Sequence, residues 1–183
     1  MNWLSTAFVL GAAYLAVFWE AAFSGMRHLL GAQVDLLPPL MVYAALCTGL
    51  TTVALLALCG GLWFDSLSAN PLGVSVLPLF AIGLAIHLKR ELILRDETFA
   101  RLVLGLGASA AAPLLTLLLL FTMGRAPLVG WGTLWQWVVM SAGGAIATPI
   151  CFELLGWLER VLVHHHVTET SFRPDREIRR GRF

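Results

Sequence analysis

The sequence predicts an all-α, polytopic integral membrane protein, a bundle of about six transmembrane helices. Of its 183 residues, 58% are hydrophobic and only 13% are charged, whereas a soluble domain carries about 25% charge. A bilayer core takes roughly 20 apolar residues per helical crossing. The composition therefore excludes a soluble globular domain, a disordered chain and a nucleic-acid binder. Five stretches without Asp, Glu, Lys or Arg cover residues 1–19, 36–64, 66–88, 102–124 and 126–152.

The first stretch predicts a helix over residues 3–23. A signal peptide would begin with a positively charged segment and end at a small-residue cleavage site. Here the first Lys or Arg is Arg27, well past the apolar run. We therefore interpret this segment as a retained transmembrane helix.

The second stretch, at 29 residues, is too long for one upright span and too short for two full spans with a turn. Pro38 and Pro39 favour a helix start, since proline is tolerated in the first turn. Thr48 and Gly49 lie near the middle. We predict two short helices, 36–47 and 50–64. A single long, tilted helix is the alternative.

The remaining stretches predict three more helices. A turn-rich segment ends in Asn70-Pro71, and Asn-Pro favours turn initiation. A charged connector follows at 89–101. The predicted helices span 72–88, 102–123 and 131–157. The chain thus divides into a transmembrane helical domain, 1–160, and a basic cytoplasmic tail, 161–183.

The basic residues predict the orientation. Ten of the twelve Lys and Arg residues lie in the connector 89–101 or between Arg160 and Arg182. The positive-inside rule assigns that side to the cytoplasm. Six spans then place the N-terminus in the cytoplasm too, whereas five would place it outside. An interfacial position for Trp63 at the outer edge requires the two-helix hairpin and favours six.

Ionisable residues near the apolar stretches are candidates for function. Glu20, Asp65 and Glu153 all lie within two turns of a predicted helix end. A proton relay needs a carboxylate deep in a span, so we do not expect one here. We expect Glu153 to pair with Arg160 on the same helix.

No catalytic, metal or cofactor site is predicted. The sequence has no Ser/His/Asp set, no His-Glu-x-x-His and no phosphate-binding glycine loop. His164, His165 and His166 are consecutive, and consecutive helical positions point about 100° apart, so they do not form a metal site. The three cysteines are interpreted as packing residues. Small residues four apart predict close helix packing at Ala12/Ala16, Gly107/Ala111, Gly143/Ala147 and Gly144/Thr148.

A polar turn carries the clearest motif, within the run Gly60-Gly61-Leu62-Trp63-Phe64-Asp65-Ser66-Leu67-Ser68-Ala69-Asn70-Pro71-Leu72-Gly73. We expect Asp65 to accept backbone hydrogen bonds, Pro71 to start the next helix and Gly73 to permit close helix contact. Together with Asn70 they form a tight interhelical turn. This run resembles the family of the rod shape-determining protein MreD, in which a helix ends in Gly-Leu-x-x-Asp and Pro-Leu-Gly opens the next. Asp35-Leu36-Leu37-Pro38 resembles the entry into that family's second helix.

The resemblance implies a non-catalytic scaffold in the bacterial inner membrane that helps to set cell shape. Its implied partner is a single-span MreC-like protein. Through it the scaffold connects MreB filaments with RodA and penicillin-binding protein 2, which synthesise peptidoglycan. The implied fold is similar to the substrate-binding subunits of ECF vitamin transporters. The family offers no catalytic residues to carry over. Membrane lipids are expected contacts of the tail, and nucleic acid is not.

A second hypothesis is a small-molecule-binding subunit of a transporter. Ala12-x-x-x-Ala16 is similar to the motif with which such subunits dock on their transport partner. The short outer loops, poor in polar residues, count against it. An enzyme acting on lipid-linked substrates is a third, weaker alternative.

Overall fold

The computed structural model describes residues 3–22, 31–68, 71–91, 98–124 and 130–163. Within these ranges all regular secondary structure is α-helical. Four helices are long and apolar enough to cross a membrane, so the protein is a multi-pass membrane protein. The six helices are α1 (Trp3–Ala22), α2 (Leu37–Cys47), α3 (Leu50–Leu67), α4 (Val76–Lys89), α5 (Thr98–Thr122) and α6 (Trp131–Val163), of which α2 and α4 are the short ones.

Helix α2 is the centre of the bundle. It contacts the other five helices, and every residue from Leu37 to Leu46 is buried. Its 11 residues rise only about 16 Å, far less than a bilayer core. A helix this short is tolerated because protein, not lipid, surrounds it and its backbone hydrogen bonds are internal.

The break between α2 and α3 falls at Thr48 and Gly49, as the sequence predicts. The backbone N–H and the hydroxyl of Thr48 both donate to the Ala44 carbonyl, at 2.9 and 2.6 Å. Gly49 is extended and precedes the first turn of α3. The 29-residue stretch is therefore a hairpin and not one tilted helix. Helix α3 continues to Leu67 and has 18 residues, so the prediction that it is short and ends at residue 64 is wrong.

Interhelical contacts fix the directions of the helices. The hydroxyls of Thr6 and Thr52 lie 2.8 Å apart, and Tyr14 packs edge-on against Trp63, so α1 and α3 are parallel. Ser5 donates to Glu159 Oε1 at 2.9 Å. The start of α1 and the end of α6 therefore lie at the same end of the bundle, which we call the proximal end; the opposite end is the distal end.

A close-packed seam joins α5 and α6. A methyl group at Gly105 would overlap the side chain of Thr148, and one at Gly144 would overlap Ser109. We use "seam" for these four residues. Gly144 and Thr148 were predicted from their spacing, but their partners Gly105 and Ser109 were not.

The other small-residue pairs have different surroundings. Gly107 faces open space, so the prediction of close packing at Gly107/Ala111 is wrong for the glycine. A methyl group at Gly143 would overlap Val34, from the segment before α2, and not a residue of α5. Ala12 and Ala16 pack against the core of the bundle itself.

Candidate functional site

The two sequence segments that carry the family resemblance meet at the distal end. A methyl group at Gly60 would lie 3.0 Å from the side chain of Leu37, and one at Gly61 would lie 2.9 Å from Cα of Val76. The last turns of α3 thus pack closely against the start of α2 and the start of α4. Side chains cannot intervene at these two positions, which is why both are glycine. We call this region the capped junction; it comprises Glu20, Asp35–Leu37, Gly60, Gly61, Asp65 and Gly73–Val76.

Asp65 holds the start of α4. Its side chain is 2% exposed. Oδ2 accepts hydrogen bonds from the backbone N–H groups of Gly73 and Ser75, at 2.8 and 3.1 Å, and Oδ1 accepts one from the Ser75 hydroxyl at 2.5 Å. Backbone donors at a helix start have no partner within the helix. One buried carboxylate therefore satisfies the donor of the N-cap residue Ser75, and also that of Gly73 in the preceding turn, and ties α3 to α4.

Gly73 is needed for its backbone conformation. Its φ is +90°, a region that L side chains rarely adopt. A methyl group there would meet no atom within 4 Å, so the expectation of close helix contact at Gly73 is wrong.

The turn also delays the start of α4. The carbonyl of Pro71 accepts a hydrogen bond from Val74 N–H at 3.3 Å, which closes a turn and not a helix. The next helix begins at Val76 and not at residue 72, because the positive φ of Gly73 is incompatible with an α-helix. Asn70, the fourth predicted residue of this turn, lies outside the described residues.

Two further carboxylates cap α2. Glu20, at the end of α1, accepts a hydrogen bond from Leu36 N–H through Oε1 at 2.6 Å. Asp35 Oδ1 accepts one from Leu37 N–H at 2.9 Å. Burial raises the pKa of Asp35 to about 6, because the charged form loses water. The second oxygen of Glu20 is buried without a hydrogen-bond partner among the described residues.

The junction lies beside the middle of α6. Val34, one residue before Asp35, contacts Gly143, which lies well inside the charge-free stretch 126–152. Helix α6 begins at Trp131, 12 residues or about 18 Å earlier along the helix. The segment that precedes α2 is thus adjacent to an apolar span at Val34, and Glu20 of α1 reaches this segment at Leu36.

Glu153 does not pair with Arg160, contrary to the sequence-based expectation. Its carboxylate lies 3.8 Å from the guanidinium of Arg101, at the start of α5. The Nε of Arg160 donates instead to the carbonyl of Gly156 on its own helix. A contact between two helices has replaced a contact within one, because the antiparallel seam brings α5 and α6 together at the proximal end.

The capped junction positions helix ends and holds no recognisable reactive set. All three carboxylates accept hydrogen bonds from backbone N–H groups, and within the described residues no three His, Cys, Asp or Glu side chains cluster as metal ligands. The run His164–His166 and the arginine-rich tail lie outside the residues that the structure describes.

Fold and junction together define the class of this protein: a multi-pass helical membrane protein whose short central helix is capped by the carboxylates of Glu20 and Asp35. No family model, curated protein sequence or solved structure matches the chain.

Proposed function

We propose that this protein is a non-catalytic scaffold of the bacterial cell-elongation complex, located in the inner membrane and related to the MreD family. It binds a single-span MreC-like protein and so couples MreB filaments to peptidoglycan synthesis by RodA and penicillin-binding protein 2. The supporting observation is the capped junction. The two segments that resemble the family, 35–38 and 60–73, are distant in sequence but pack together where Gly60 meets Leu37.

The chemistry of the junction agrees with a scaffold. A scaffold needs a rigid arrangement of helices, and carboxylate caps supply it, since Glu20 ties the end of α1 to the start of α2 and Asp65 ties the end of α3 to the start of α4. The polar side chains of the junction contact backbone groups. Exposed apolar side chains on α1, such as Leu15 and Phe18, offer a surface to lipid or to a single-span partner helix.

The proposal includes an orientation. The proximal end faces the cytoplasm, since ten of the twelve Lys and Arg residues belong to the connector 89–101 and to residues 160–182. The Ser5–Glu159 hydrogen bond supports a cytoplasmic N-terminus beside the C-terminal end of α6. Fusions of alkaline phosphatase and of a cytoplasmic fluorescent reporter to each terminus test this orientation. Phosphatase activity at either terminus contradicts it.

Depletion and co-purification test the function. In a rod-shaped bacterium that carries this chain, depletion should turn rods into round cells. The tagged full-length protein should retain an MreC-like partner in mild detergent. Wild-type protein and the neutral control Ser66→Ala should restore rod shape equally, whereas Asp65→Ala should restore it less. Cells that stay rod-shaped on depletion, with no partner recovered, overturn the proposal.

The transporter alternative rests on Ala12 and Ala16. Both are half-buried and pack against the core of the bundle, which accounts for small residues there without a transport partner. A fold similar to the substrate-binding subunits of ECF transporters remains part of the proposal, supported by the family resemblance alone. A vitamin-like molecule that co-purifies in stoichiometric amount would favour the transporter hypothesis over the scaffold.

A further inference from the structure

A groove opens at the proximal end between the start of α5 and the last third of α6. Its volume is about 540 Å³. Its walls combine two charged side chains, one hydroxyl, one tryptophan and an apolar strip. The residues used below are Thr98, Arg101, Ile150, Glu153 and Trp157.

The groove lies where two apolar spans end. Arg101 directly precedes the charge-free stretch 102–124, and Glu153 directly follows the charge-free stretch 126–152. The first charged residue next to a span marks the membrane–water boundary. Trp157, 59% exposed, lies one turn beyond Glu153, as expected of a tryptophan at the headgroup level.

The two charges are held differently. The guanidinium of Arg101 lies 4.7 Å from the centre of the Phe152 ring, and its side chain is only 17% exposed. Phe152 in turn packs edge-on against Tyr43 of the central helix. The carboxylate of Glu153 is 77% exposed, and its 3.8 Å separation from Arg101 is longer than a charge-assisted hydrogen bond. The groove therefore presents an anchored cation beside an accessible anion.

We propose that this groove binds a zwitterionic phospholipid that carries a phosphate and a primary ammonium group. The phosphate contacts Arg101 and the Thr98 hydroxyl, and the ammonium group donates to Glu153. The acyl chains lie along Ile150, which is 60% exposed and belongs to the charge-free stretch 126–152. Charge complementarity carries this assignment: a guanidinium binds phosphate by directed hydrogen bonds, and a carboxylate accepts from a primary ammonium group. An anionic lipid whose headgroup has no ammonium group, such as phosphatidylglycerol, would not supply the cationic donor that Glu153 accepts from.

Lipid titration of the delipidated full-length protein tests the site. Native mass spectrometry should compare dioleoyl phosphatidylethanolamine, phosphatidylcholine and phosphatidylglycerol, which share the same chains. Phosphatidylethanolamine should bind about tenfold more tightly than the other two, the equivalent of one charge-assisted hydrogen bond. Equal binding of all three lipids overturns the proposal, and so does a preference for phosphatidylglycerol.

Two variants separate the charges. Arg101→Gln should lower the affinity for phosphatidylethanolamine about tenfold, and Glu153→Gln should remove the preference over phosphatidylcholine. Lys89→Gln removes an exposed charge at the same end of the bundle, outside the groove, and should change neither. Unchanged lipid selectivity in both groove variants overturns the site. Circular dichroism of each variant verifies that the helices are retained.

Discussion

At the capped junction, carboxylates hold the helices together, whereas at the seam between α5 and α6 the backbones themselves approach. Asp65 and Glu20 reach from one helix to the unpaired N–H groups at the start of another. Gly105 and Gly144 leave room for Thr148 and Ser109 of the opposite helix. The difference follows from geometry: the junction joins helix ends, which have unpaired donors, and the seam joins helix sides, which have none.

The comparison explains why the short helices lie where they do. In an apolar environment an unpaired backbone N–H costs several kcal/mol, so a helix that starts inside the bundle needs an acceptor from a neighbour. Helix α2 receives one from Glu20, and α4 receives one from Asp65. The long helices α5 and α6 need only a close lateral fit. The sequence motif thus lies in the region where helix ends are surrounded by other helices of the bundle.

The largest effect is expected at Asp65. Asp65→Ala removes the acceptor of three hydrogen bonds and leaves the buried N–H of Ser75 unpaired, which should lower the free energy of unfolding by about 4 kcal/mol. Unfolding of the purified protein in detergent measures this loss. Ser66→Ala, next to it but exposed, should change stability by less than about 0.5 kcal/mol. Similar values for both variants would show that the carboxylate does not hold the junction.

A methyl group at the seam should have the next largest effect. Gly105→Ala forces α5 away from Thr148 and should destabilise by about 3 kcal/mol. Gly107→Ala, two residues along on the open side of the same helix, should change stability by less than about 1 kcal/mol. The same unfolding measurement compares the two. Equal destabilisation of the two variants would contradict close packing at Gly105, because alanine is the better helix former at both positions.

The cap of α2 should make stability depend on pH. The pKa of Asp35 is raised from 3.8 to about 6, so the folded state binds the proton more tightly than the unfolded state. Its contribution is fully present below pH 3.8 and is lost as pH rises through about 6.

Asp35→Asn keeps an oxygen acceptor for Leu37 N–H and cannot ionise. The loss of stability between pH 4.5 and 7.5 should therefore be smaller in the variant, by about 1–2 kcal/mol after screening by solvent. Thermal unfolding across this pH range measures the difference. Ser66→Ala should keep the wild-type slope, and an equally steep slope in Asp35→Asn would contradict the argument.

The smallest effect is expected at a single hydrogen bond between α5 and α6, next to the seam. The indole Nε1 of Trp137 donates to the carbonyl of Ala110 at 2.9 Å. Trp137→Phe removes this donor and should lower the free energy of unfolding by about 1 kcal/mol. Trp131→Phe, at an exposed position, is the matched control and should have no measurable effect. A larger loss at Trp131 would place the important contact at the membrane surface instead.

Local signals in the sequence predicted the helices well. Pro38 and Pro39 lie in the first turn of α2, and the break at Thr48–Gly49 separates it from α3. The turn at Asp65 was also recognisable, because an aspartate before a proline and a glycine is typical of a capped turn. The reason for a glycine at position 73 could not be predicted. Close helix contact and a positive φ both favour glycine, and only the backbone conformation of the folded chain shows that positive φ is the reason here.

The partners of the polar side chains could not be predicted. Glu153 was assigned to Arg160 because both lie on one helix, yet it lies beside Arg101. Gly105 and Ser109, the two seam residues on α5, could not be identified from the sequence. Small residues also occur on the opposite face of this helix, at Gly107. A four-residue spacing gives a helix face but does not say which face another helix covers.

The sequence by itself determined that this chain is a multi-pass helical membrane protein, that a break at Thr48–Gly49 separates α2 from α3, and which turn is capped. These properties depend on apolar length, on proline and glycine, and on donors within a few residues. Only the tertiary structure decided that the 11-residue α2 lies at the centre and that Glu20 of α1 caps it. Those contacts join residues far apart in the chain, and they depend on how helix faces fit together.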